Sequence, residues 1–189
     1  LQKETCRLKQ RGVTLWFTGL SGAGKTTICR NVMHKLEQRG IEVELLDGDD
    51  VRQHLTKDLG FSRGDRLTNV ERVSFVARVL SKHHVIVLAA FISPYREMRE
   101  MARRTIGSFR EVYVNCSLDT CVKRDVKGLY QKALDGEIDQ FTGISDPYEP
   151  PQNPDLALNT DRETVEESAL RVIRYLEDNQ FIQRMKAKG

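Results

Sequence analysis

The sequence lacks most of what would assign it to a membrane, to the cell exterior or to nucleic acid. No stretch approaches the roughly eighteen consecutive apolar residues of a membrane span, and the start of the chain carries no apolar core of a secretory leader. No membrane partner is expected, and a cytoplasmic location is. The four cysteines, Cys6, Cys29, Cys116 and Cys121, show no C-x-x-C spacing, and His34, His54, His83 and His84 supply no matching ligand pattern. A zinc module and a disulfide scaffold are therefore excluded, and free thiols in a reducing cytoplasm are expected. The net charge is only +3, far from the dense basic stripe that nucleic acid requires, so no nucleic-acid partner is expected. Internal repeats and low-complexity tracts are missing. So is the N-K-x-D signature of guanine recognition, its nearest lookalike being Thr56-Lys57-Asp58.

What the 189 residues do contain is an ordinary soluble composition, 39% hydrophobic and 30% charged, enough for one domain with its own core. Apolar runs at 13–17, 41–46, 85–91, 111–115 and 155–159 read as five strands. The run at 85–91 is apolar on both faces, as a central parallel strand should be. Helical spacing separates them: Ile28, Val32, Met33 and Leu36 up to Gly40, then Val70, Val73, Ala77 and Leu80. Ser93-Pro94 reads as N-cap and first residue of a helix carrying Met98 and Met101. Thr160-x-x-Glu163 reads as a capping box before a last helix with Val165, Ala169, Val172 and Leu176 on one face. This alternation predicts an α/β fold: a three-layer sandwich with a parallel five-stranded core sheet and helices on both faces. The expected organisation is an arm over 1–12, a single domain over 13–183 and a tail over 184–189. Residues 123–154 break the alternation with charge, glycine and proline. Lying after the fourth strand's carboxyl end, they are expected to form a lid.

The decisive motif follows the first strand. Gly19, Leu20, Ser21, Gly22, Ala23, Gly24, Lys25, Thr26 and Thr27 satisfy G-x-x-x-x-G-K-[ST] between a strand and a helix, the context a P-loop requires. Glycines let consecutive backbone N–H groups turn toward one anion, and the helix N-terminus adds its positive field. Lys25 can reach the β- and γ-phosphates of ATP, and the Thr26 hydroxyl can ligate Mg²⁺. A nucleoside triphosphate with its magnesium is the expected donor.

Asp47 and Asp49 lie just past the second strand, at the same sheet edge as this loop. The run at 85–91 ends without an acid, so these two are the candidates for the carboxylate near Mg²⁺ or the attacking hydroxyl. Arg52, Arg63, Arg66 and Arg72 cluster beyond them with Phe61 in their midst. The lid repeats the pairing with Arg124, Lys127 and Phe141. Two aromatic–basic clusters at one edge suit an anionic acceptor carrying a heterocycle, because base stacking is worth about 1–3 kcal/mol. Ser93 reads as a cap or a ligand contact. As a nucleophile it would need a base; His84 lies about 30 Å away along an extended strand, which leaves Asp47 or Asp49 of the neighbouring strand as the closer candidates. The alternatives to a nucleotide acceptor are another small-molecule kinase, for example one acting on a sugar acid, and a non-catalytic nucleotide switch.

Together these segments resemble the adenylylsulfate kinase family. The residues that carry the resemblance begin with the loop at 19–27, Leu46-Asp47-Gly48-Asp49, Asp58-Leu59-Gly60-Phe61-Ser62, and Asp65-Arg66 with Asn69. They continue with Phe91-Ile92-Ser93-Pro94-Tyr95-Arg96, Lys127-Gly128-Leu129-Tyr130, Phe141-Thr142-Gly143-Ile144 and Asp146-Pro147-Tyr148-Glu149-Pro150-Pro151. The resemblance implies transfer of the ATP γ-phosphate to the 3′-hydroxyl of adenylyl sulfate, in sulfate assimilation. It implies that Phe61 and Phe141 sandwich the acceptor adenine. Arg52, Arg66 and Asn69 would hold phosphosulfate and ribose, and Ile92, Ser93, Lys127, Gly128 and Leu129 would complete the pocket beside Asp49. Arg124 would neutralise the transferred group, touching ATP. It further implies a homodimer, and in bacterial members a phosphoserine at the position of Ser93, although direct in-line transfer fits the residues better. Asp50, Thr68, Glu71 and Val126 depart from the usual pattern; Thr68 and Glu71 read as a helix-capping pair.

Overall fold

Strand β1 (Val13–Thr18) is buried at every position, the pattern of a middle strand covered on both faces. A computed structural model, describing residues 10–184, places it there. β1 pairs in parallel with β3 (Ile86–Ala90) on one side and with β4 (Phe109–Asn115) on the other. β2 (Val43–Asp47) lies outside β3, and β5 (Leu156–Asn159) lies outside β4, both again parallel. The strand order is therefore β2-β3-β1-β4-β5, and the expected five-stranded parallel sheet is the one observed.

Alternation along the strands sorts the core into two layers. Val13, Leu15 and Phe17 pack with Ile28, Val32 and Leu36 of α1 (Lys25–Glu37) and with Ala169, Val172 and Leu176 of α7 (Val165–Asp178). Trp16 faces the opposite side, among Val70, Val73 and Ala77 of α3 (Arg63–Lys82) and Met98 and Ala102 of α4 (Arg96–Ile106). The Trp16 ring is fully buried and stacks on Phe91 with centroids 5.3 Å apart. Three short helices complete the chain: α2 (Gly48–His54), α5 (Leu118–Arg124) and α6 (Leu129–Leu134). Among the described residues no helix is long and apolar enough to cross a membrane.

Because all strands run the same way, their carboxyl ends meet at one edge. The phosphate loop, Asp47, the turn at Ile92–Ser93, the start of α5 and Thr160 all leave the sheet there. Of the arm expected over 1–12, residues 10–12 are described. The Gln10 amide donates to the carbonyls of Glu42 and His84 at 2.8 and 2.7 Å, joining the entrances of β2 and β3. The remainder of that arm, and all but the first residue of the expected tail, lie outside the described residues.

Four local readings of the sequence are corrected. Ser93 does not cap α4; Tyr95 occupies that place, and Ser93 sits at φ +43° within the preceding turn. The capping box of α7 is one turn later than expected, on Thr164 and Glu167. The pattern T-x-x-E occurs at both places, but the Thr160 hydroxyl is buried and donates to the Ala23 carbonyl at 2.9 Å. Thr68 lies inside α3 and donates back to the Gly64 carbonyl, while Ser62 caps that helix. Asp47, expected just past the second strand, is its last residue. Asp47 caps α2 by accepting the Asp49 N–H at 3.0 Å.

Candidate active site

The phosphate loop runs from the end of β1 into α1, and two of its glycines are forced. At Gly19 a Cβ would stand 2.5 Å from the Val114 carbonyl oxygen of the neighbouring strand. Gly24, the N-cap of α1, sits at φ +101° and has no side chain to satisfy the first-turn N–H groups. Those donors and the helix dipole point at whatever anion the loop holds. Lys25 is buried, and its ammonium donates to the carbonyls of Gly19 and Leu20 at 2.9 and 2.7 Å. Burial is the main cause that lowers its pKa to about 8. A polyanion in the loop would reverse that shift, so phosphate binding and Lys25 protonation favour each other.

The strand-end acids divide their work. Asp47, only 4% exposed, accepts the Thr26 hydroxyl at 2.6 Å, placing a carboxylate beside the expected magnesium ligand. Asp49 points outward and forms an ion pair with Lys127, so the two meet between α2 and the lid. Arg124, in the last turn of α5, donates to the Gly22 carbonyl at 3.4 Å and to the Thr160 carbonyl at 2.6 Å, so it touches the phosphate loop directly.

Of the four clustered arginines, Arg52 and Arg66 meet Phe61, while Arg63 pairs with Glu97 and Arg72 with Asp58. The Phe61 ring is 60% exposed, with the Arg52 guanidinium 4.2 Å above its centroid. Arg66 is buried and spans the gap to the lid. Its Nε donates to the Phe61 carbonyl at 2.7 Å, its Nη1 to the Thr142 hydroxyl at 2.7 Å, and its Nη2 to the Gln140 carbonyl. One guanidinium thus grips the backbone of Phe61 and both neighbours of Phe141. Desolvation and then repulsion from Arg66 lower the Arg52 pKa, while Arg66 itself has the Asp146 carboxylate 3.6 Å away. Asn69 is buried, accepting the Thr56 hydroxyl at 2.7 Å. Ser93 is 4% exposed and accepts the Trp16 indole N–H at 3.1 Å.

The segment expected to form a lid, 123–154, is less irregular than the sequence suggested. It includes α6, whose N-cap Gly128 and first residue Leu129 follow Lys127. Sequence reasoning gave no role to Tyr130, yet this buried side chain joins lid to loop. Its hydroxyl donates to the Ser21 carbonyl at 2.9 Å, and its ring meets Phe141 edge-on at 5.0 Å. Also unassigned were Tyr148 and Arg99, which only their positions inside or near motif segments could have flagged; Thr160, read as a cap, instead holds the phosphate loop at Ala23. The cysteines described, Cys29, Cys116 and Cys121, are free and buried, and burial pushes the Cys121 thiol up to about 12.

Comparison with known proteins agrees with this geometry. A family model described as adenylylsulphate kinase matches residues 11–159. An adenylyl-sulfate kinase of Halothermothrix orenii is 64% identical over 173 residues, covering 92% of this chain and 94% of its own length. Another from Rippkaea orientalis is 57% identical, covering 90% and 94%. Among solved structures, the Mycobacterium tuberculosis APS kinase CysC in complex with AMPPNP and APS superposes with a TM-score of 0.87 at 46% identity, covering 89% of this chain and 99% of that one. A gluconokinase from Sinorhizobium meliloti, 15% identical with a TM-score of 0.54, shares the fold alone.

Proposed function

The chain belongs to the adenylylsulphate kinase family and is an ATP-dependent kinase; from that premise we propose that it moves the γ-phosphate of ATP to the 3′-hydroxyl of adenylyl sulfate, giving 3′-phosphoadenylyl sulfate and ADP. The loop at 19–27 receives the donor phosphates on its backbone N–H groups, with Lys25 on the β- and γ-oxygens. The acceptor lies opposite, its adenine between Phe61 and Phe141. Arg52 and Arg66 answer its phosphosulfate, and Asn69, Ile92, Ser93, Lys127, Gly128 and Leu129 line the remaining wall. Arg124 faces the transferred group from the loop side.

The oxygens of Thr26 and Asp47 suit Mg²⁺, a hard cation that prefers few carboxylates and several waters. Thr26 would hold the ion directly and Asp47 through water, and the bound ion would neutralise charge on the phosphate oxygens. Asp49 is placed to orient the acceptor hydroxyl once Lys127 turns to the substrate. With a loose transition state, positioning and charge neutralisation suffice, and a strong base is unnecessary. Ser93, buried under the Trp16 indole, contributes a wall contact in this reading, and transfer is direct and in line. The work is placed in the cytoplasm. A homodimer is proposed too, testable by light scattering.

The observation that carries the acceptor assignment is the reach of Arg66 from the Phe61 carbonyl to the residues flanking Phe141. It gives two aromatic rings on separate segments one common support. The test is transfer of labelled phosphate from ATP across a panel of acceptors including adenylyl sulfate, shikimate and gluconate, with Lys25→Ala as control. A 3′-phosphoadenylyl sulfate product that disappears in the control supports the reading. A preference for a sugar acid overturns it.

A further inference from the structure

Behind the acceptor wall lies a buried polar group that the proposed reaction does not use. Arg99, on α4, is 3% exposed, and each of its three guanidinium nitrogens has a partner on a different segment. Its Nε donates to Glu111 of β4 at 2.7 Å, its Nη1 to the Ser93 carbonyl at 2.6 Å, and its Nη2 to the Glu149 carbonyl at 2.7 Å. Only the first of these is an ion pair. The other two are backbone contacts, one to the turn after β3 and one to the foot of the lid.

A second tie joins two of these places, the turn and the foot of the lid, to the end of β1. The Tyr148 hydroxyl is 2.9 Å from the Thr18 hydroxyl, which itself donates to the Ile92 carbonyl at 2.7 Å. Thr18 is the residue immediately before the phosphate loop. The Tyr148 ring lies under the Arg99 guanidinium, 5.9 Å from its carbon, so both ties form one unit. The Glu149 N–H donates to the Pro94 carbonyl at 2.8 Å, and the Glu149 carboxylate accepts the Arg96 N–H at the start of α4.

A buried arginine makes an expensive bolt unless its position matters, because its charge must be desolvated. Two of its contacts hold the backbone of residues 93 and 149 at one fixed separation, and a planar fork is suited to that task where a flexible ammonium is not. The turn holding Ser93 sits at φ +43°, a conformation that non-glycine residues keep only when neighbours enforce it.

We propose that Arg99 and Tyr148 are positioning residues for the acceptor: together they brace the foot of the lid against the Ile92–Ser93 turn and set the width of the acceptor pocket. This rests on the acceptor reading above. Neither residue touches the phosphate-binding face of the loop, so the brace acts on acceptor binding and orientation far more than on ATP.

Steady-state kinetics on Arg99→Lys, Tyr148→Phe and Glu111→Gln, varying each substrate separately, test the brace. Misplacing a reacting group by about 1 Å costs up to roughly 100-fold, so we expect the KM for adenylyl sulfate to rise about tenfold in Arg99→Lys and severalfold in Tyr148→Phe. The KM for ATP should stay within about twofold in both. Glu111→Gln keeps an acceptor for Arg99 while removing the ion pair. It should lower the melting temperature and leave the acceptor KM alone. If Arg99→Lys fails to fold, Tyr148→Phe decides alone, since it deletes one hydroxyl from an otherwise intact ring. The brace is overturned if the acceptor KM is unchanged in Tyr148→Phe, or if Arg99→Lys and Glu111→Gln change stability and both KM values alike. A wild-type protein that makes no 3′-phosphoadenylyl sulfate would instead sink the acceptor reading itself.

Discussion

Replacing Phe61 by alanine separates the acceptor site from the donor site more cleanly than any other single change. The ring is 60% exposed, so its loss removes little buried area. Exposed substitutions of this kind stay within about 0.5 kcal/mol of wild type, with about another 0.5–1 kcal/mol for the lost contact with Arg52. In a chain of this size that is a melting shift of at most a few degrees. Against this small cost stands the stacking of one base face, worth about 1–3 kcal/mol. Arg52 already lies over the ring at 4.2 Å, and a base that displaces it forfeits about 0.5–1 kcal/mol. The net loss for the variant is then about 0.5–2 kcal/mol, a rise of about 2- to 30-fold in the acceptor dissociation constant. Calorimetric titration of adenylyl sulfate against protein held in a non-hydrolysable ATP analogue measures it directly. A parallel titration of the analogue alone should be unchanged. Equal acceptor affinity in variant and wild type, or a matching loss of nucleotide affinity, would refute the stacking assignment.

The remaining predictions concern donor site and fold. Burial holds Lys25 near pKa 8 in the folded chain, below the ordinary 10.5, so the unfolded chain binds the extra proton between those values. Stability of the nucleotide-free protein should therefore gain a contribution that grows as pH rises from about 8 to 10.5. Denaturant titrations should show that rise flattened in Lys25→Met, which should also be no less stable at pH 7. An identical pH slope in both proteins contradicts it. Asp47→Asn keeps an acceptor for the Asp49 N–H but removes the charge beside Thr26, and should weaken the apparent magnesium affinity of the reaction about 10- to 100-fold. An unchanged magnesium titration would remove Asp47 from that role. Thr164→Ala breaks the capping box of α7 and should cost about 1 kcal/mol, a melting shift of about 2–4 °C, while Thr160→Ala acts through the loop contact to Ala23 instead. Calorimetry on the Thr164 variant reads this out, and no shift would mean the cap is idle.

The sheet was legible because its signal is periodic and local. A run apolar on both faces, such as 85–91, can only be a strand covered twice, and helical spacing between such runs leaves little topological choice. The phosphate loop was legible because strand, glycines, lysine and helix are consecutive. The misreadings share another cause. Thr160 and Thr164 present the same cap pattern, and only the path of the chain off β5 decides which hydroxyl is free to cap. Ser93-Pro94 looks like a helix start from composition, but burial of Ser93 beneath Trp16 and the pull of Arg99 hold that turn open for two residues more. Arg99 and Tyr130 went unassigned for the same reason. Glu149, the lid-side partner of Arg99, and Ser21, the partner of Tyr130, are 50 and 109 residues away in sequence, and a single chain read in order carries no record of such pairings.

Those distant pairings also limit what the lid can do. Its beginning is fixed, because Arg124 is bonded to Gly22 and Thr160. Its far end is fixed as well, because Tyr95 donates to Asp146, Tyr148 meets Thr18, and Glu149 bonds to Pro94 and Arg99. In the proposed reading, closure over two substrates falls to the segment between, 125–145. Within it Tyr130 already holds Ser21, so the parts left to respond are Lys127, at present paired with Asp49, and the Gln140–Thr142 stretch held by Arg66. Both belong to, or flank, the proposed acceptor wall. An adenine arriving between Phe61 and Phe141 and a phosphosulfate arriving at Arg66 would compete with these self-contacts directly. On the proposed reading, then, the acceptor, more than ATP, would exchange the contacts that hold the lid.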